Sequence, residues 1–153
     1  MGLKTGETAV EADFAVIGAK AIQSSGTTVN NLFGTMAFQA EDYDSSGFHD
    51  NVTNNTRLTV PAGKGGKYLI GASFKVISTS GKQLGCLIRL NGSTILASQI
   101  SGTGIDNVNA VSITTFAQLA AGDYVELLVV AGSSDTSTGD AQCNFWLNKI
   151  IEA

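Results

Sequence analysis

Between Lys67 and Ser78 the apolar side chains alternate. Tyr68, Ile70, Ala72, Phe74 and Val76 fall on one face of an extended segment, and Leu69, Gly71, Ser73, Lys75 and Ile77 on the other. A period of two with one apolar face is the mark of a strand. Similar short runs rich in Val, Ile, Thr and aromatics recur along the chain, separated by clusters of Gly, Ser, Asn and Asp. They predict strands near Phe14–Gln23, Thr35–Ala40, Arg57–Val60, Lys67–Ser78, Gly85–Asn91, Thr94–Gln99, Ala110–Gln118, Asp123–Ala131 and Gln142–Ile151. No helical period competes; the Ala-rich stretch Ala9–Ile22 lacks apolar spacings of three and four. Many short strands with regular turn signals predict an all-β antiparallel sandwich or barrel. The sharpest local signal is Asn91-Gly92 between two strands, a pair that accepts the positive φ angles of a tight hairpin.

The last two strands are apolar on both faces. Val125, Leu127 and Val129 oppose Tyr124, Leu128 and Val130, with Glu126 among them; Phe145, Leu147 and Ile151 oppose Trp146 and Ile150. An antiparallel strand ordinarily leaves one face to water. Two apolar faces predict a second sheet on one side and a neighbouring subunit on the other. Tyr124, Leu128, Val130, Phe145, Trp146 and Ile150 are therefore the expected subunit-interface residues.

Composition fits this picture. Of 153 residues, 43% are apolar but only 14% are charged, against about 25% charged in an average soluble domain. A surface so poor in charge points to faces hidden against other copies. The net charge of −4 and the lack of any Lys/Arg cluster argue against nucleic acid as a partner. No apolar run approaches the length of a membrane span, which argues against membrane insertion. Residues 14–153 suit one domain, preceded by an arm, residues 1–13, with too little apolar surface for a core of its own. The arm is expected to anchor the domain or to contact an adjacent subunit.

Candidate chemistry is sparse. His49 is the only histidine, and no Gly-x-Ser-x-Gly elbow accompanies it, so catalysis is not expected and a loop-packing role is. Glu41, Asp42, Asp44 and Asp50 form an acidic cluster at the start of the polar segment Asp42–Asn55, which reads as a loop. A solvated loop is the plain reading; calcium, which takes several oxygens from one flexible loop, is the alternative. Asp135 and Asp140 in the segment Ser133–Asp140 pose the same choice. Gly63-Lys64-Gly65-Gly66-Lys67 lacks phosphate-loop spacing and opens a strand, so it reads as a turn. No cofactor is expected. Cys86 and Cys143 read as small buried apolar residues or as one disulfide.

Four motifs then carry a resemblance. Leu58-Thr59-Val60-Pro61 with Gly66-Lys67-Tyr68-Leu69-Ile70, Ile88-Arg89-Leu90-Asn91-Gly92, Leu119-Ala120-Ala121-Gly122-Asp123-Tyr124-Val125-Glu126-Leu127, and the closing strand Phe145–Ile150 occur in the order found in complement globular heads and tumour-necrosis-factor-like jelly rolls. The resemblance spans about residues 14–151. It implies a jelly-roll sandwich that forms homotrimers, with the late strands towards the threefold axis and a ligand-binding or decorating role rather than catalysis.

A narrower stretch, Phe38-Gln39-Ala40-Glu41-Asp42-Tyr43-Asp44-Ser45-Ser46-Gly47-Phe48-His49-Asp50 followed by Thr53–Pro61, resembles jelly-roll proteins encoded by tailed bacteriophages. It implies a virion structural protein: a capsid decoration, head spike or tail-fibre tip, made in the host cytoplasm and exposed on the particle. Its partners would be its own copies, other virion proteins and a host-surface protein or glycan. The alternative is a secreted or cell-surface complement-head-like module for a protein or glycan ligand; a hydrolase on a sandwich scaffold is the third and least supported reading.

Overall fold

The computed structural model describes residues 16–77, 83–101, 108–132 and 134–150. The arm, residues 1–13, lies outside them, as do the loop Ser78–Lys82, most of Ser101–Asn109 and Ile151. Among the described residues there is no helix, and twelve strands run antiparallel in two sheets: β1 Gly18–Ile22, β2 Thr28–Val29, β3 Gly34–Thr35, β4 Ala40–Asp44, β5 Arg57–Thr59, β6 Gly66–Ile77, β7 Leu84–Leu90, β8 Thr94–Ile100, β9 Asn109–Leu119, β10 Tyr124–Ala131, β11 Asp135–Ser137 and β12 Asn144–Lys149. The seven-stranded sheet runs β2-β11-β6-β12-β1-β4, with β9 on the other side of β6. The five-stranded sheet runs β3-β10-β7-β8, with β5 also on β10. This is the expected sandwich.

The predicted faces are the observed ones. Tyr68, Ile70, Phe74 and Val76 of β6 are buried, as are Val125, Leu127 and Val129 of β10 and Phe145 and Leu147 of β12. These inward residues form one cluster between the sheets. Phe38 lies 5.9 Å from Phe145 between ring centroids, and Phe48 meets Tyr68 edge-on at 6.0 Å, separations at which aromatic pairs attract.

Asn91 and Gly92 have φ of 49° and 71°, and the Ser93 N–H closes the turn on the Leu90 carbonyl at 3.1 Å. The Asn91 side chain does more. Its Nδ2 donates to Asp123 Oδ1 at 2.8 Å and its Oδ1 accepts the Tyr124 N–H at 2.9 Å, while Asp123 Oδ2 accepts the Ala120 N–H at 2.7 Å. Two motifs separated by thirty-odd residues are thus one hydrogen-bonded unit joining the β7–β8 hairpin to the β9–β10 turn. The bonds from Asn91 and Ala120 hold the Asp123 carboxyl below its ordinary range.

The structure corrects three expectations. Thr35–Ala40 is not one strand: β3 belongs to the five-stranded sheet and β4 to the seven-stranded sheet, and residues 36–39 cross between them. Met36 and Phe38 stay buried in the crossing, and the N–H groups of Met36, Phe38 and Gln39 are satisfied singly by Leu127, Asn55 and Ile22 carbonyls. The polar segment Asp42–Asn55 begins inside β4, because β4 pairs with β1 around a bulge at Lys20/Ala21. Ser133–Asp140 likewise contains β11, held where Ser137 Oγ donates to Gln23 Oε1 at 2.7 Å and accepts the Thr27 N–H at 2.8 Å. Cys86 and Cys143 are both buried and both free, which rules out the disulfide reading; burial pushes the Cys86 thiol up to about 11.

Candidate functional site

The four acidic residues do not converge. The Asp44 carboxylate organises the turn that follows β4: Oδ1 accepts the N–H groups of Ser46, Gly47 and Phe48 at 3.1, 2.8 and 3.0 Å, and Oδ2 accepts that of His49 at 2.9 Å. Burial works to raise its pKa, but the four N–H bonds outweigh burial and hold it low. Gly47 supplies the positive φ of 78° that the turn requires. Asp50 Oδ1 caps the next turn through the Val52 and Thr53 N–H groups, both at 2.9 Å. Asp42 pairs with Lys20 at 3.0 Å. Glu41 Oε1 lies 3.1 Å from His49 Nδ1. Glu41 and Asp44 both meet His49, one through its ring and the other through its main-chain N–H, Asp42 and Asp50 turn elsewhere, and among the described residues no group of three or more His, Cys, Asp or Glu could hold a metal ion. Asp140 Oδ1 also caps a turn, through the Gln142 N–H at 2.8 Å.

His49 does pack the loop. Its side chain is fully buried, with Nδ1 on Glu41 and Nε2 3.5 Å from the Asn55 carbonyl. The stretch that resembles phage-encoded jelly rolls is therefore a folding unit: Asp44 and Gly47 make the turn, and Phe48 and His49 plug it into the core.

The six expected interface residues do not share a surface. Phe145 has 0% exposure within one chain and faces Phe38 in the core, so no partner can reach it. Tyr124, Leu128 and Val130 lie on the outward face of the five-stranded sheet; Trp146 lies on the outward face of the seven-stranded sheet, and Ile150 follows β12 in that layer. In a sandwich these faces point in opposite directions. The apolar outward face of β10 is also largely covered by its own chain. The Arg57 guanidinium stands 4.7 Å above the Tyr124 ring, Arg89 holds Glu126 at 2.8 and 3.0 Å, and Leu128, opposite Leu87, is only 6% exposed.

The outward face of the seven-stranded sheet is different. In register across it lie Lys20, Trp146, Gly71 and Thr114, and beside them Asn148, Leu69 and Phe116. Trp146 lies flat over Gly71, where a Cβ would come within 2.3 Å of its ring. Tyr43 donates its hydroxyl to Asn148 Oδ1 at 2.7 Å, fixing one border of the face. Phe116, at the far border, is 64% exposed. It sits on β9, which pairs only with β6 among the described residues and so presents a free sheet edge. Sequence reading passed over Phe116, although the signal was present: Val111, Ile113, Ala117 and Leu119 keep the inward parity of β9, and Phe116 breaks it.

No protein-family model matches the sequence, and no curated protein does. Solved structures do match in fold. Murine APRIL superposes with a TM-score of 0.69 at 13% identity, over 89% of this chain and 100% of that one. The globular domain of zebrafish complement 1qA gives 0.67 at 13% identity, over 91% and 100%. The Eiger TNF of S. frugiperda gives 0.63 at 16% identity, over 90% and 94%. The chain has the jelly-roll sandwich fold of the tumour-necrosis-factor and complement-head proteins, across nearly its whole length.

Proposed function

We propose that this chain is a non-enzymatic jelly-roll module that assembles as a homotrimer on the outside of a bacteriophage particle, as a capsid decoration, head spike or tail-fibre tip. The observation that carries the assembly is the outward face of the seven-stranded sheet, with Trp146 and Leu69 in its middle and Phe116 exposed at its free edge. A contiguous exposed apolar patch marks an interaction site, and Phe116, Leu69 and Trp146 adjoin one another in the register. Because Phe116 is at a border and Trp146 is central, the edge of one copy packs on the face of the next. Such a head-to-tail contact closes into a ring when the rotation permits, and the resemblance to tumour-necrosis-factor-like jelly rolls implies a ring of three. The virion assignment draws support from the resemblance of residues 38–61 to phage-encoded jelly rolls.

The two halves are tested separately. Sedimentation of the full chain at micromolar concentration is expected to give a trimer, and Phe116→Lys a folded monomer; a wild-type monomer sinks the assembly. Quantitative mass spectrometry of purified virions then counts copies: hundreds indicate decoration, a few indicate a tail tip, and none refutes the virion role.

A further inference from the structure

On the opposite side of the molecule, between the turn after β4 and the outward face of β5, lies a depression of about 240 Å³ lined by Gly47, His49, Asp50, Asn54, Arg57 and Thr59. Arg57 is the unusual member. It is half-buried, and its Nε is enclosed with no hydrogen-bond partner. Its cross-strand neighbour Glu126 has one oxygen occupied by both contacting nitrogens of Arg89. The carbon of the Arg57 guanidinium stands over the face of Tyr124, 4.7 Å from the ring centroid. A guanidinium is built to bind a planar oxyanion through two parallel N–H bonds, and this one is held over the Tyr124 ring at the border of the depression.

We propose that this depression binds a sugar acid, a single ring bearing one carboxylate, with the carboxylate on Arg57. Three features select that class. The cavity is smaller than the roughly 300–1,000 Å³ of drug-sized sites, which suits one ring. Asp50, on the same wall, already accepts the Val52 and Thr53 N–H groups and remains exposed and negative. Its charge offsets that of Arg57, so no net positive charge is left to hold a second charge on the ligand, and a multiply charged phosphate is disfavoured. Asp50, Asn54 and Thr59 supply acceptors and donors for ring hydroxyls. The inference does not depend on the virion assignment or on trimer formation, since the lining belongs to one chain on the face away from Trp146.

The test is a nuclear magnetic resonance titration of the full-length ¹⁵N-labelled protein with sodium glucuronate, N-acetylneuraminate, glucose and inorganic phosphate. Saturable shifts at residues 47–59 are expected for the two sugar acids with Kd of about 1–10 mM, none for glucose at the same concentrations, and weaker shifts for phosphate. Arg57→Gln is expected to reduce sugar-acid affinity about tenfold or more through loss of the paired N–H bonds. Asp50→Asn, which keeps an acceptor for its turn, is expected to bind phosphate better and so narrow the preference. Should Arg57→Gln not fold, the Asp50→Asn comparison still decides. The proposal is overturned by sugar acids that give no saturable shift, by shifts unaffected in a folded Arg57→Gln protein, or by phosphate binding as tightly as glucuronate to the wild type.

Discussion

Removing the Asp44 carboxylate tests whether the turn after β4 is the folding unit its geometry describes. In Asp44→Ala four N–H donors lose their acceptor. Those of Ser46 and Gly47 are exposed and turn to water at little cost. Those of Phe48 and His49 are partly buried, and a buried donor left unsatisfied costs about 1–3 kcal/mol. For the two donors together that is about 2–6 kcal/mol; Asp44 is itself partly exposed, so screening and water access place the sum in the lower half, about 2–4 kcal/mol. Asp44→Asn keeps one oxygen for the first three donors but turns an amide NH₂ towards the His49 N–H, for a loss of about 1–2 kcal/mol. The two variants also differ from wild type in pH dependence. The folded carboxyl is held below its ordinary value, while the unfolded one titrates near about 3.9. Its stabilisation is therefore complete above the unfolded value and is lost as pH falls through the folded one. Urea unfolding followed by the single Trp146, at fixed protein concentration, is expected to show a constant wild-type advantage over Asp44→Asn from pH 8 to 5 that shrinks below pH 4. An Asp44→Ala protein within about 0.5 kcal/mol of wild type at pH 7, less than the loss of a single buried bond, refutes the account, as does an Asp44→Asn penalty that survives acidification.

Phe74→Ala removes a fully buried ring from the inner face of β6 and is expected to cost about 3–5 kcal/mol by urea denaturation; an unmoved midpoint would mean the face is wrongly assigned. Asn91→Ala removes the bonds to Asp123 and Tyr124 and strains a position with φ of 49°, for about 1–3 kcal/mol. Asn91→Gly relieves the strain but not the lost bonds, so it should fall between Asn91→Ala and wild type in the same assay, and equal penalties for the two would deny any strain at that position.

Most of the sandwich is written in the chain as alternation. β6, β10 and β12 are long enough for period two to show, and the faces read from sequence as Tyr68–Val76, Val125–Val129 and Phe145–Leu147 are the buried ones. β2, β3, β4 and β11 are of two to five residues, too short for a period, and exist because neighbouring strands offer them an edge: β6 for β11, β10 for β3, β1 for β4. A polar run such as Ala40-Glu41-Asp42-Tyr43-Asp44 carries no strand signal of its own. Tertiary pairing overrides weak local preference there. Turns were more legible than edge strands, because Asn91-Gly92 and Gly47 need backbone angles that few other residues accept.

Surfaces were harder to read than the core for a related reason. Apolar residues on both faces of a strand say that both are covered, not by what. On β10 the cover comes from the same chain, through Arg57 over Tyr124, Arg89 on Glu126 and Leu87 beside Leu128, each donated by a strand remote in sequence. On β12 the outward Trp146 covers Gly71, and the face then continues to Phe116 with nothing from the described chain above it. The two strands look alike in sequence, yet one closes a monomer's surface and the other leaves an aromatic border open. That Arg57 has no ion pair among the described residues arises in the same way. Its charge partner in the register, Glu126, is taken by Arg89 from the opposite side, and only the order of strands β5, β10 and β7 in the sheet brings that competition about. The covered face and the open one, like the paired and the unpaired arginine, are properties of strand order. They become visible only when the register is known.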